Sequence, residues 1–71
     1  MHQPLPARHV ILAQLDATIG RAEQRVRWRR LVLRAMTALG RDTPTTKTLL
    51  LRAELRLASL RGDRRHVLRM G

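Results

Sequence analysis

Apolar residues recur three and four positions apart along the first half of the chain, at Leu12, Leu15, Ile19, Ala22, Val26, Leu33 and Met36, with Arg29 as the single polar break. This spacing follows the 3.6-residue period of an α-helix and draws a heptad-like, coiled-coil type of seam down one face. A second run with the same period places Leu50, Ala53, Leu57, Leu60, Val67 and Leu68 on one face, interrupted by Arg64. Between the two runs stand a stop and a start. Leu39 is followed by Gly40, the residue best able to adopt the left-handed conformation that ends a helix. Asp42 or Thr43 can cap the next helix, with Pro44 in its first turn, where a missing N–H is harmless. The pattern predicts helices over about residues 7–39 and 44–69, after an N-terminal extended segment, residues 1–6, that contains Pro4 and Pro6. Strand signals are missing, because the chain has no Phe or Tyr and only six Val and Ile together.

A loop this short forces the two helices to lie antiparallel as neighbours. The fold class is therefore all-α, a two-helix hairpin. Counting outward from Asp42 sets Leu33 and Met36 against Leu50, Val26 near Leu57, Ala22 near Leu60, Ile19 near Arg64 and Leu15 near Val67. Arg29 then falls opposite Ala53 and close to Glu54, which makes Glu54 its expected partner. The alternative is that Arg29 lays its methylene stem over the seam and sends its guanidinium to water. Glu23 and Arg27 are spaced as an i,i+4 pair on a solvated face. Gly20, inside the first helix, costs about 1 kcal/mol relative to Ala, and is read as tolerated rather than required.

Some apolar residues do not fit the seams. Trp28, Val32, Ala35 and Leu39 form a second stripe on the first helix, and Leu51, Leu55 and Ala58 point away from the seam of the second. A two-helix hairpin buries one stripe per helix, so these are left over, and both lie toward the loop end, which is expected to set them beside each other in space. A 71-residue chain is also marginal as a monomer, and the absence of cysteine removes disulfides and the commonest zinc ligands as supports. The expectation is self-association through Trp28, Val32, Ala35, Leu39, Leu51, Leu55 and Ala58, giving a homo-oligomer, a dimer first, whose helices complete a four-helix bundle. A different protein partner or a lipid surface would cover the same stripes.

Charge adds a second theme. Fifteen basic residues against five acidic ones give a formal net charge of +10, and fourteen of the fifteen are arginine. Codon usage in a GC-rich genome accounts for such a ratio, and so does an acidic protein or nucleic acid as partner, because guanidinium pairs bidentately with phosphate. The contacts expected for such a partner are Arg27, Arg30 and Arg34 on one face of the first helix and Arg61, Arg65 and Arg69 on a flank of the second. With one tryptophan and no helix-turn-helix, zinc or ribbon signature, binding of this kind would ignore base sequence.

Catalytic chemistry finds no constellation. Asp16, Glu23, Asp42, Glu54 and Asp63 are scattered among arginines, and Ser59, the one serine, has no His and Asp arranged around it. His2, His9 and His66 lack metal-ligand spacing, and the hairpin puts His66 closer to Thr18 than to His9. No metal, cofactor or enzymatic activity is expected. The apolar stretch from Val10 to Leu15 is too short for a secretory segment or a membrane span, and the missing cysteines are compatible with a cytoplasmic location. An Arg-rich, acid-poor amphipathic segment also suits an organelle transit peptide, but a second helix with its own cap makes a small domain the better account.

Taken together, Ile19, Glu23, Val26 and Leu33, the run Gly40-Arg41-Asp42-Thr43, the pair Leu49-Leu50, Glu54, and Arg64-Arg65 form a recurring pattern. Over residues 12–69 it resembles a class of short, uncharacterised bacterial proteins built as a helix, a Gly-x-Asp-Thr turn, paired leucines and a closing basic helix. The chain departs from that class at Arg29, where a neutral polar residue is expected, and at Arg64-Arg65-His66, where a His-Arg pair is usual. The resemblance implies the helical hairpin and no activity.

Overall fold

A computed structural model describes residues 7–41 and 43–70. Helix α1 runs Arg8–Ala38 and helix α2 runs Pro44–Arg69, joined by the single tight connection. The first helix is one residue shorter at each end than its periodicity predicts, and the second starts at the proline as expected. The extended segment expected for residues 1–6 and the cap expected from Asp42 lie outside the described residues.

The stop at the end of α1 is a complete hydrogen-bonded cap. Gly40 has φ of +70°, which turns the chain so that its N–H donates to the Thr37 carbonyl at 3.0 Å and the N–H of Arg41 reaches back to the Met36 carbonyl at 3.0 Å. This pair of bonds is the Schellman arrangement, and it satisfies carbonyls that would otherwise end the helix unpaired. The start of α2 differs from expectation. Thr43 takes the N-cap position, and its carbonyl accepts the first helical bond from Lys47 at 2.9 Å, but its hydroxyl makes no capping hydrogen bond. The reason is local. Its ψ is 27° rather than the extended value that aims a capping oxygen at the helix N–H groups, and its side chain is packed into the turn, with the residue only 7% exposed.

The helices pack by their predicted seams. Ile19, Val26 and Leu57 are the buried centre, with Ala22, Leu50, Ala53 and Leu60 packed around them. Val26 and Leu57 come from the middle of each helix, which confirms the register counted from the turn. Polar ties continue it toward both ends. Near the turn the Thr46 hydroxyl lies 3.3 Å from the Met36 sulfur. Toward the open end Arg64, the break in the second seam, donates to Asp16 at 2.7 Å, and the Arg8 guanidinium donates to the Leu68 carbonyl at 2.9 Å. Glu23 and Arg27 stand 3.7 Å apart as an i,i+4 pair.

One inter-helix pairing is shifted. Glu54 accepts from Arg30 at 3.3 Å, not from Arg29. Successive helical residues are turned about 100° from each other, so Arg29 and Arg30 leave the seam on opposite sides. Glu54 emerges on the side of Arg30. Arg29 is sent to the other side, where it lines a groove with Ala22 and Ala53.

Candidate functional site

The groove beside Arg29 is the strongest chemical feature of the molecule. It has a volume of about 310 Å³, and its walls carry five arginines: Arg21, Arg25 and Arg29 from α1, Arg52 and Arg56 from α2. Its floor is made by the small or apolar side chains Ala22, Ala53 and Leu49, with Thr18 at one end. The sequence folds this way because each row repeats every four residues, so the arginines of a row stack on one flank of their helix about 6 Å apart. The antiparallel register then lays Arg52 and Arg56 level with the stretch between Arg25 and Arg30.

Acids are excluded from this face by the same periodicity. Glu23 and Glu54 leave the seam on the other side, where they hold Arg27 and Arg30, and Asp16 holds Arg64. Among the described residues no carboxylate lines the groove, and none of its five arginines forms an ion pair. Among the described residues the only hydrogen bond made by one of their side chains is from Arg21 to the Thr18 hydroxyl, at 3.2 Å.

This distribution rearranges the residues expected to meet an anion. Arg27 and Arg30 are both engaged by glutamates and lie on the acid-bearing side. Arg34, Arg61, Arg65 and Arg69 are exposed and stand apart from the groove. The sequence pattern hides the groove arginines, because the apolar seam makes Arg29 look like an interruption. The i, i+4, i+8 series Arg21, Arg25, Arg29, beside Arg52 and Arg56, is the signal that points to them.

The leftover apolar residues remain in solvent. Trp28 is 65% exposed, Leu39 73%, Leu51 56% and Leu55 61%; Ala35 and Ala58 are exposed and Val32 half-buried. Leu31 joins them on the outside of α1. The two stripes share a level of the hairpin, as expected, but they do not lie side by side. Each helix turns its seam toward the other, so their backs face outward from opposite edges, and the stripes form two patches.

A second cleft, of about 440 Å³, opens near the free ends between Leu15, Thr18, Asp63, His66 and Val67, among others. It puts His66 beside Thr18, as the register requires. Among the described residues no three His, Cys, Asp or Glu side chains converge to hold a metal ion, and no helix is long and apolar enough to cross a membrane. No family model, curated protein or solved structure matches the chain.

Proposed function

We propose that the chain is a small, non-enzymatic helical protein that works as a self-associated assembly of hairpins and docks on an acidic partner. The observation that carries this reading is the thinness of its core. Among the described residues only Ile19, Val26 and Leu57 are buried hydrophobics, and no side chain falls below 2% exposure. The radius of gyration is 16.9 Å, where a compact chain of this length would have about 11 Å. Burying one large apolar side chain contributes about 1.5–3 kcal/mol, so three such residues offset little of the conformational entropy lost on ordering two helices. The exposed leucines and tryptophan supply what is missing if a second copy covers them.

Pairing the α1 stripes of two copies about a two-fold axis sets Trp28, Val32, Ala35 and Leu39 against their own equivalents and brings four helices together. The alternative, an α1 stripe on the α2 stripe of the next copy, adds copies until it closes into a ring. The two differ in stoichiometry. A cytoplasmic location belongs to the same reading, and the absence of cysteine is compatible with a reducing compartment.

Sedimentation equilibrium across micromolar concentrations tests the assembly. Trp28 is the only aromatic residue of the chain, so its emission reports the α1 stripe without interference. The expected result is a concentration-dependent dimer or higher species whose formation shifts that emission to the blue. A chain that stays monomeric and fully helical at high micromolar concentration overturns the reading.

A further inference from the structure

We infer that the arginine groove and the cleft near the free ends are one furrow, and that it receives an amphipathic α-helix of a different protein, acidic over one half of its length. The inference deepens the acidic-partner half of the proposed function, on which it rests. It does not depend on self-association, since no residue lining the furrow belongs to an apolar stripe.

Continuity of the furrow follows from the helical repeat. Thr18 lines both clefts. Ile11 and Arg29 on α1 are about five whole turns apart, as are Leu49 and Val67 on α2, so both ends of the furrow open on the same flank of each helix. From Ile11 to Arg29 it measures about 27 Å along the axis, a length that a partner helix of about 18 residues spans. Along its bottom runs an apolar strip of Leu49, Ala53, Ala22, Leu15, Ile11 and Val67. Each of the six is half-buried and so keeps surface that a partner can cover. The crease between two helices is a seat for a third, and the alanines at its middle let that helix approach closely.

Charge along the furrow is uneven, and this selects the occupant. The α1 row, from Arg21 to Arg29, takes about 12 Å of helix axis, with Arg52 and Arg56 on the opposite rim. Beyond Thr18 the described lining holds no arginine or lysine; its polar groups are Gln14, Asp63 and His66, and the apolar strip continues. A nucleic-acid strand carries phosphate along its whole length. Lying in the furrow, it would set charge over Ile11, Leu15 and Val67 and beside the Asp63 carboxylate; lying across it, it would leave the strip uncovered. An amphipathic helix suits both halves. Its apolar stripe covers the strip throughout, and carboxylates flanking that stripe over one half repeat at i,i+4, the period of the arginine rows they face. A second copy of this chain is not that helix. It has five acids, of which Asp16, Glu23 and Glu54 already hold arginines.

Fluorescence anisotropy with the full chain tests the site. The probe is a labelled peptide of about 18 residues, with leucine and alanine spaced three and four apart and glutamates flanking them over one half. Its control has the same composition in an order that destroys the apolar stripe, and a mixed-sequence DNA strand is the third probe. At about 150 mM salt, where exposed charges are largely screened beyond about 8 Å, the amphipathic peptide should bind at least about tenfold more tightly than its control. Ile11→Gln removes apolar floor without changing charge and should weaken the amphipathic peptide about fivefold, leaving any binding of DNA as it was. Arg25→Gln with Arg56→Gln should weaken the peptide at least about fivefold more than Arg34→Gln with Arg65→Gln, which lie outside the furrow. Equal binding of the two peptides overturns the inference and leaves docking by charge alone. DNA that binds more tightly than the amphipathic peptide and displaces it also overturns the inference, with a nucleic acid as the occupant. No binding by any probe removes the acidic partner itself, and the inference with it. Helicity of each variant is checked by far-UV circular dichroism; if Ile11→Gln unfolds, the comparison of the two peptides on the unmodified chain decides.

Discussion

Gly40 is the residue on which the hairpin turns. Its φ of +70° lies where a β-branched side chain meets the backbone, although space around it is open, with nothing within 4 Å of where a Cβ would stand. The cost of replacing it is therefore conformational and not steric crowding by neighbours. Gly40→Val should lower stability by about 1–2 kcal/mol, read as a shift in urea midpoint with unchanged slope. Gly20 answers the same assay in the opposite direction. It sits inside α1 with ordinary helical geometry and open space at its Cβ position, so Gly20→Ala should stabilise by up to about 1 kcal/mol. Equal responses at the two glycines would mean that the turn does not depend on the left-handed residue.

At the scale of the helices, the seam positions carry the fold. Leu57 is the central residue of α2, 7% exposed against Ile19 and Val26. Leu57→Ala should cost about 2–5 kcal/mol, comparable with all that a core this small supplies. Thermal melting followed by circular dichroism should lose its cooperative step, and a melt within a few degrees of the parent would show that the hairpin seam is not what holds α2. Both helices, their ends and their register were legible in the sequence, because a seam of period 3.6 and a Gly-x-x-Thr-Pro stop and start are local signals that no tertiary contact overrides here. Polar pairing was less legible. Counting along a seam fixes the level of a residue along the axis but not the side on which it leaves, and one position decides between Arg29 and Arg30 for Glu54. The same ambiguity of side hid the arginine groove, which exists only once two rows on different helices are known to face the same way. It also hid the separation of the two apolar stripes onto opposite edges. The capping role of Thr43 failed for a different reason: residue type names a candidate cap, while ψ decides whether its hydroxyl can reach.

For the whole molecule, the question is whether folding and assembly are one event. Val32→Glu and Leu55→Glu together place a carboxylate on each outer edge and leave Leu15, Ile19, Val26 and Leu57 in their seam. The expected product is either a folded monomer or an unfolded chain, distinguished by far-UV circular dichroism alongside sedimentation. Unfolding would mean that the hairpin exists only within its assembly, so that its stability rises with protein concentration. A double variant that assembles as the parent does would remove the stripes from the interface. Separate Trp28→Glu and Leu55→Glu variants then tell the two-fold arrangement, which depends on the α1 edge alone, from the ring, which needs both.

The extents of the hairpin, 60 × 19 × 17 Å, have a practical bearing on counting its copies. A body about three times longer than it is wide tumbles and drifts with more friction than a sphere of equal mass. On a size-exclusion column calibrated with globular standards, a single 8.2 kDa chain would leave early, at a volume easily assigned to two. Adding a second hairpin alongside the first thickens the rod without lengthening it, so true pairing would change the elution volume far less than the doubled mass suggests. Light scattering at the column exit, which weighs particles whatever their outline, separates a slender monomer from a stouter dimer where elution alone gives the same answer for both.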